Sequence, residues 1–412
     1  MILIMAWRNL WRRKRRTLIT SGTVAFGLLF SIIVTGAKDY GYTKMINTSA
    51  SMGLGHVTVQ PVGYLESPTL DKKFANATAV RDAVLATPGV TSAATRIIGQ
   101  AMYSSALKSV GGSFIAIDSS RETAKTNLFW GALTEGRVCA KDAPEVVVGV
   151  RLAEKLNLKI GKKLVYTATG AHGELVSDMA RVTGLFKTGI EEVDGSMAIM
   201  PLDRVRATLH YGKDEAGIMA VFISDRRNAG TVRDAVAERI GGGDKETLSW
   251  EKTQSEVAGM IRVNRVVNTI FQVFVGLIVA AGILDTILMS VFERKREFGV
   301  MLSVGCSPRR LFGLLIAESM MIGLTGLVLG LLLSAPVYRY LHTTGLDFNS
   351  WAPEGTTYEA SGIPLDMVMK VDLYGESLAV IVAVLFLLTV AAGLYPALKA
   401  SGVPPVESMK NV

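Results

Sequence analysis

Histidine and cysteine residues, which often act as catalytic groups or metal ligands, are few and scattered along this sequence. The four histidines stand alone, because no HxxxH, HExxH or Cys/His cluster gives them the spacing of a metal site. No GxSxG, SxxK or paired-carboxylate motif stands out above chance, and Cys139 and Cys306 are far apart in the chain. Neither GxxxxGKS nor GxxxxGKT occurs, so the usual phosphate cradle for ATP is absent. We therefore predict a non-enzymatic chain that binds no metal and no cofactor.

One short segment combines a run of charge with an amphipathic pattern. The run Glu293–Glu297 (ERKRE) follows a long apolar stretch, and Phe298, Met301 and Leu302 then recur at helical spacing. Gly305 follows, and glycine often ends a helix because it adopts left-handed backbone angles easily. We expect a short helix whose exposed aromatic and aliphatic face docks on another protein. The alternative is a basic loop that only fixes membrane topology.

Long apolar stretches before and after this segment must position it. Only 19% of the residues are charged, against about 25% in soluble domains, and a bilayer core needs about 20 helical residues. We predict transmembrane helices over residues 18–37, 266–292, 311–333 and 377–398. Asp285 and Glu318 lie within these spans, where an unpaired charge is costly. For Asp285, a structural contact at a dimer seam or with a neighbouring helix is favoured over proton coupling.

Basic residues in the short flanking segments set the orientation. Residues 1–17 carry six basic side chains, the predicted short helix within 293–310 carries five basic and two acidic ones, and the tail 399–412 adds two lysines. The positive-inside rule places all three on the cytoplasmic side, so residues 38–265 and the loop 334–376 lie outside. Because most of the net charge of +8 precedes an apolar run, it indicates a membrane anchor and not a nucleic-acid partner.

The first 17 residues have the pattern of an amphipathic helix lying in the membrane interface. Trp7 and Trp11 are one turn apart, and Arg12 and Arg13 follow them. Tryptophan and arginine together are typical of a membrane boundary. We predict a cytoplasmic elbow helix over residues 1–17.

The long segment 38–265 reads as a globular domain. Stretches of alternating apolar residues bounded by Gly, Pro and Asp predict strands, and stretches with helical spacing lie between them. The domain is therefore mixed α+β, and a break at about Gly136 would divide it into two subdomains. Its end, residues 250–268, continues into the second span and predicts a stalk helix above the membrane.

The segment Val291–Gly299 (VFERKREFG) resembles the V-x-E-R-x-R-E-x-G signature of the FtsX/MacB/LolC-type ABC transporter permeases, the type VII superfamily. Further resemblances follow in order along the chain: AWRNLWRRKRRTLIT at the start, Glu145–Leu158 in the middle, and Leu394–Ala397 near the end. The sequence looks most similar to lipoprotein-releasing LolC/LolE-like members. The resemblance implies a MacB-like periplasmic core and four transmembrane helices.

The resemblance also implies how such a chain works. ATP-driven closure of a separate ABC ATPase dimer, which holds the ATP and Mg, would move the outside domains (mechanotransmission), with a second permease copy or paralogue as partner. The ATPase-coupling residues would be Glu293, Arg294, Arg296, Glu297, Phe298, Gly299, Met301, Leu302 and Gly305.

Three functions fit this family. The leading one is extraction of lipoproteins from the bacterial inner membrane, with a periplasmic lipoprotein as cargo. The alternatives are MacB-like efflux of periplasmic peptides, toxins or drugs through an adaptor, and FtsX-like signalling to a periplasmic hydrolase. An acyl-chain groove is expected from apolar side chains on the first two spans, which could equally be plain lipid or helix contacts: Phe26, Phe30, Ile33, Phe274 and Leu277.

Overall fold

The computed structural model describes residues 2–12, 14–347, 358–360, 363–365 and 368–402, and the chain forms two compact units. The membrane unit consists of Met1–Tyr42, Arg262–Ala352 and Met367–Val412. The sheet unit consists of Thr43–Ile261 and Pro353–Asp366.

The helices of the described residues follow in chain order. They are α1 (Ile2–Arg12), α2 (Lys14–Ser51), α3 (Ala77–Leu85), α4 (Leu128–Gly131), α5 (Val150–Leu156), α6 (Glu191–Ser196), α7 (Leu202–Thr208), α8 (Ala229–Ile240), α9 (Trp250–Thr253), α10 (Ser255–Glu293), α11 (Lys295–Ser303), α12 (Pro308–Thr343) and α13 (Gly375–Ser401).

Four helices of the described residues, α2, α10, α12 and α13, are long and apolar enough to cross a membrane. This confirms the predicted number of spans and their order. Each helix is longer than the span predicted for it: α2 has 38 residues, α10 has 39 and α12 has 36. The elbow helix is shorter than predicted, because α1 ends at Arg12 and the basic residues from Lys14 onward begin α2. Arg13 and residues 403–412 of the predicted tail lie outside the described residues.

Small residues let the membrane helices pack closely. A Cβ atom added at Gly27 of α2 would lie 2.6 Å from the Val279 side chain of α10. Added at Gly326 of α12, it would lie 2.5 Å from Val24 of α2. Glycine therefore permits both crossings, as is common between transmembrane helices. Val24, Ile283 of α10 and other apolar residues form the buried core of the unit.

The strands of the described residues also follow in chain order. They are β1 (Val57–Pro61), β2 (Val90–Ser104), β3 (Ser109–Ile117), β4 (Leu133–Gly136), β5 (Glu145–Gly149), β6 (Lys163–Thr169), β7 (Leu175–Phe186), β8 (Met197–Pro201), β9 (Ile218–Ile223), β10 (Lys245–Ser249), β11 (Leu346–Asp347), β12 (Tyr358–Ala360), β13 (Ile363–Leu365) and β14 (Val368–Met369).

Within the described residues, the first ten strands form one sheet, in the order β10-β1-β9-β2-β3-β8-β5-β7-β4, with β6 paired to β2 and β7. The pairs β3–β8 and β5–β7 are parallel and the other pairs of this sheet are antiparallel. Strands β1 and β9 are buried along their whole length. The unbroken apolar run of β9 is typical of a strand covered on both faces, whereas β1 also buries Thr58 and Gln60. The mixed α+β class is confirmed. The predicted break at Gly136 does not divide the domain, because strands before and after it join the same sheet.

A buried ion pair fixes the inner part of the sheet unit. Arg96 on β2 and Glu122 are each 1% exposed, and their side chains share two hydrogen bonds, one of 2.8 Å from Nε to Oε1. The same guanidinium donates to the carbonyl oxygens of Gly53, just after α2, and of Thr126. A buried charge needs such full pairing, so this network ties the end of α2 to the sheet.

Candidate coupling site

The charged segment forms a separate short helix between the second and third spans. Helix α10 ends at Glu293, α11 covers Lys295–Ser303, and α12 begins at Pro308 after Ser307. Gly305 has a φ of 100°, its N–H donates to Leu302 O (3.2 Å), and Cys306 N–H donates to Met301 O (2.9 Å). These two bonds are the Schellman arrangement that glycine permits at a helix end. Gly305 therefore ends α11, and the helix is shorter than the predicted segment 293–310.

The apolar face of α11 packs against the chain itself, which corrects the expectation of an exposed docking face. Phe298 is only 3% exposed and belongs to the core of the membrane unit, against which Met301 and Leu302 also pack. Gly299 is buried as well. The physical reason is that the membrane helices extend far enough to cover this face, which helical spacing alone cannot show.

The opposite side of α11 is accessible. Arg296 is exposed, and the apolar side chains of Val300 and Val304 are 48% and 83% exposed. Exposed apolar side chains beside an arginine are compatible with a protein-binding surface. We define Arg296, Val300 and Val304 as the outer face of α11.

Arg294 links α11 to the third membrane helix. Its Nε donates to Glu297 Oε2 (3.0 Å), and its Nη1 donates to both carboxylate oxygens of Glu318 on α12 (3.1 and 3.2 Å). The guanidinium also lies 5.0 Å from the centre of the Phe298 ring. Although burial alone would lower the pKa of Arg294, the carboxylates of Glu318 and Glu297 raise it, so the side chain stays charged.

The elbow and the first span join the same network. Asn9 of α1 donates from Nδ2 to Glu318 Oε1 (2.8 Å), and Arg16 of α2 pairs with Glu293 (3.2 Å) and bonds Ser290. Sequence reasoning missed Asn9, Arg16 and Ser290 in this role. The only available signal was the basic run that contains Arg16, and it carries no information about its partner.

The elbow helix is amphipathic, but its buried side is not the tryptophan side. Ala6 and Leu10 are buried, and Ala6 packs against apolar residues of α12. Trp7 and Trp11 are 44% and 40% exposed and meet edge to face, 5.8 Å apart. Exposed tryptophans beside the exposed Arg12 suit a membrane interface.

The two predicted intramembrane acids have different surroundings. Glu318 is paired, as described above, and its side chain is 14% exposed. Asp285 is exposed on α10, and no described residue forms a hydrogen bond or ion pair with it.

The predicted groove residues lie on exposed parts of α2 and α10. Phe26 and Phe274 are 68% and 61% exposed, and Phe30 and Leu277 are 40% and 52% exposed, while Ile33 is half-buried. The Phe30 ring lies 6.1 Å from that of Phe271, so the two helices are in contact here. In this chain alone these residues form an open apolar surface. Among the described residues, no group of three or more potential metal ligands occurs.

These features define a class: a membrane protein with four spanning helices, a mixed α/β domain and a charged helix between its second and third spans. Comparison with known families matches the two parts of the chain separately. The FtsX-like permease C-terminal family matches residues 269–405, and the MacB-like periplasmic core domain matches residues 17–239. The chain belongs to the ABC transporter permeases of the FtsX and MacB type.

Individual relatives cover nearly the whole chain at low identity. Lipoprotein-releasing system transmembrane protein LolC of Xylella fastidiosa is 22% identical over 393 residues, 92% of this chain and 90% of its own. An uncharacterized ABC transporter permease of Methanocaldococcus jannaschii is 22% identical over 435 residues, 100% of this chain and 98% of its own. The match to the crystal structure of the periplasmic region of MacB from Actinobacillus actinomycetemcomitans covers 52% of this chain and 98% of the MacB chain, with 14% identity and a TM-score of 0.36.

Proposed function

We propose that this chain is the permease subunit of a type VII ABC transporter that extracts lipoproteins from the bacterial inner membrane. The observation that carries this proposal is the match over 92% of the chain to a protein named as part of a lipoprotein-releasing system. A separate ABC ATPase dimer supplies ATP hydrolysis with its own Mg, and a second permease, identical or related, completes the assembly. The amino and carboxyl ends lie in the cytoplasm, and the sheet unit lies in the periplasm.

The ion-pair network supports transmission of movement through this chain. Arg294 attaches α11 to α12 through Glu318, and Asn9 attaches α1 to the same carboxylate. A push by the ATPase on the outer face of α11 therefore reaches three elements together. Because α2 and α10 are longer than the about 20 residues of a membrane crossing, they extend beyond it as stalks.

The exposed apolar surface of α2 and α10 supports an acyl-chain groove. Phe26 on α2 and Phe274 on α10 are both largely exposed. Acyl chains leaving the bilayer need such an apolar lining, because exposing each CH₂ group to water costs about 0.8 kcal/mol.

Reconstitution tests the proposal. The chain, its ATPase and its partner permease are placed in liposomes with an acylated protein, and ATP-dependent release to a soluble carrier is measured. The double variant Phe26→Ser/Phe274→Ser should lower release about tenfold, because it removes apolar contacts to the acyl chains. The matched control is Leu332→Ser/Leu387→Ser, whose side chains on α12 and α13 are equally exposed, at 67% and 65%.

Two results would contradict lipoprotein extraction. One is equal release of acylated and non-acylated protein, and the other is equal loss in both double variants. ATPase stimulation by a periplasmic adaptor, with no lipoprotein release, would instead favour MacB-like efflux, to which the core-domain match over residues 17–239 also points.

A further inference from the structure

A polar cavity lies where α1, α2, α10, α11 and α12 meet at one end of the membrane unit. Its volume is about 220 Å³, and about 10–15 Å³ is enough to hold one water molecule, so it has room for a larger polar group. Three arginines from different elements line it: Arg12, Arg16 and Arg294. Glu297 and Glu318 line it too, together with the hydroxyl groups of serine and threonine residues.

The charges of the lining leave one guanidinium available for an anion. Both lining carboxylates are bonded to Arg294, and Arg16 pairs with Glu293. Arg12, in contrast, forms no hydrogen bond or ion pair with any described residue. A guanidinium presents five N–H donors in a fork that suits a phosphate group.

The surroundings of the cavity favour an anion from the membrane surface. Arg8, Lys14 and Arg15 are all exposed nearby on α1 and α2. Trp7 and Trp11 are exposed on the same elbow, and tryptophan is enriched at the depth of lipid headgroups. Basic pockets between transmembrane helices on the cytoplasmic side are suited to phosphate-bearing headgroups.

We propose that this cavity binds a phosphate group, supplied by the headgroup of an anionic phospholipid, with Arg12 as its main contact. The proposal rests on the cytoplasmic orientation in the proposed function. The same cavity is lined by Arg294 and Glu297, so a bound phosphate would add an acceptor beside the ion pairs that hold α11. The lipid would then influence how firmly α11 is attached to the membrane helices.

Ligand binding by the purified full chain in neutral detergent tests this site. Thermal unfolding is followed while short-chain phosphatidylglycerol, short-chain phosphatidylcholine or inorganic phosphate is added. Phosphatidylglycerol should raise the unfolding temperature with a saturating dose response, and Arg12→Ala should weaken its apparent affinity about tenfold. Arg8→Ala removes the same charge from another exposed position of α1, one that does not line the cavity, and should change the affinity less than about twofold.

The outcomes distinguish a phosphate site from general charge attraction. Stabilisation by inorganic phosphate, lost in Arg12→Ala, would support the phosphate site but assign the group to solution and not to lipid. Equal affinity in the Arg12→Ala and Arg8→Ala variants would show general charge attraction and overturn the site, as would the absence of any shift with either phosphate-bearing ligand. Because the assay contains neither ATPase nor lipoprotein, its result is independent of whether lipoprotein release is observed.

Discussion

Nη1 of Arg294 lies 3.1 and 3.2 Å from the two carboxylate oxygens of Glu318, so the signature segment is joined to the third membrane helix by an ion pair. The two side chains are only 12% and 14% exposed, which distinguishes this pair from the pair that Arg294 makes with Glu297, whose side chain is 50% exposed. Shielding from water makes a charge pair more sensitive to loss of one partner. The position of α11 on the membrane unit therefore depends on Glu318 more than on Glu297.

The first prediction follows from this difference. Glu318→Gln should lower the free energy of unfolding by about 2 kcal/mol, because Arg294 keeps a buried charge with weaker partners. Glu297→Gln, the matched control, should cost less than about 1 kcal/mol because its pair is exposed. Unfolding of the full chain in mixed micelles measures both, and a double-mutant cycle with Arg294→Gln isolates each pair. Equal losses for the two glutamates would contradict the importance given to Glu318.

The second prediction concerns the outer face of α11. Val304→Asp should abolish association with the ATPase subunit, because the side chain is 83% exposed and a carboxylate there would be buried at the interface. The fold should survive, since Val304 contributes little to the core. Leu107→Asp is the matched control, 80% exposed on the loop between β2 and β3, and should leave association unchanged. Copurification of the ATPase with each variant tests whether the outer face of α11 is the docking surface. An intact complex with Val304→Asp would place that surface elsewhere.

Much of the architecture could be predicted because it depends on local patterns. The four spans follow from length and apolar character, and Gly305 marked the end of α11 because a left-handed turn is a local property. Phe298 shows the limit. Its helical spacing revealed an apolar face, but whether that face is open or covered depends on packing against other membrane helices, among them α13, which is distant in sequence. The Asn9–Glu318 bond, between residues 309 positions apart, is unpredictable for the same reason.

The third prediction is an acid-sensitive sheet unit. Burial, and to a lesser degree the charge of Arg226, lowers the pKa of His56 from 6.5 to about 4. The unfolded chain thus binds a proton more readily than the folded one. The neutral His56 side chain therefore contributes its full stabilisation of the fold above pH 6.5. This contribution decreases as the pH falls, and at pH 4 the free energy of unfolding is lower by about 3 kcal/mol.

Hydrogen exchange of β1 and β10 in the full chain, corrected for intrinsic rates, measures this effect between pH 7 and pH 4.5. His56→Gln keeps a polar group for Asn47, which His56 contacts at 3.0 Å, and should remove most of the pH dependence. His172→Gln replaces an exposed histidine and is the control. Unchanged pH dependence in His56→Gln would assign the acid sensitivity to other groups.

The fourth prediction concerns Asp285. An exposed carboxyl group within a span, with no partner among the described residues, costs about 2.5–3.5 kcal/mol in lipid unless another molecule covers it. In the described part of the chain, no residue of a neighbouring helix forms a hydrogen bond or ion pair with Asp285. The other structural contact considered for it is the seam with the second permease. Asp285→Asn should then retain transport, because an amide preserves a polar contact, whereas Asp285→Leu should weaken the assembly.

Cross-linking tests that seam directly. In a Cys306→Ser background, Asp285→Cys should form a disulfide between two copies under mild oxidation if the permease pair is identical and position 285 lies close to the two-fold axis, where a residue meets its own copy. Leu332→Cys on α12, 67% exposed, is the control and should remain monomeric. Loss of transport in Asp285→Asn, with the assembly intact, would instead indicate that the carboxyl group takes up and releases a proton. Cross-linking through Leu332→Cys and not Asp285→Cys would move the seam from α10 to α12.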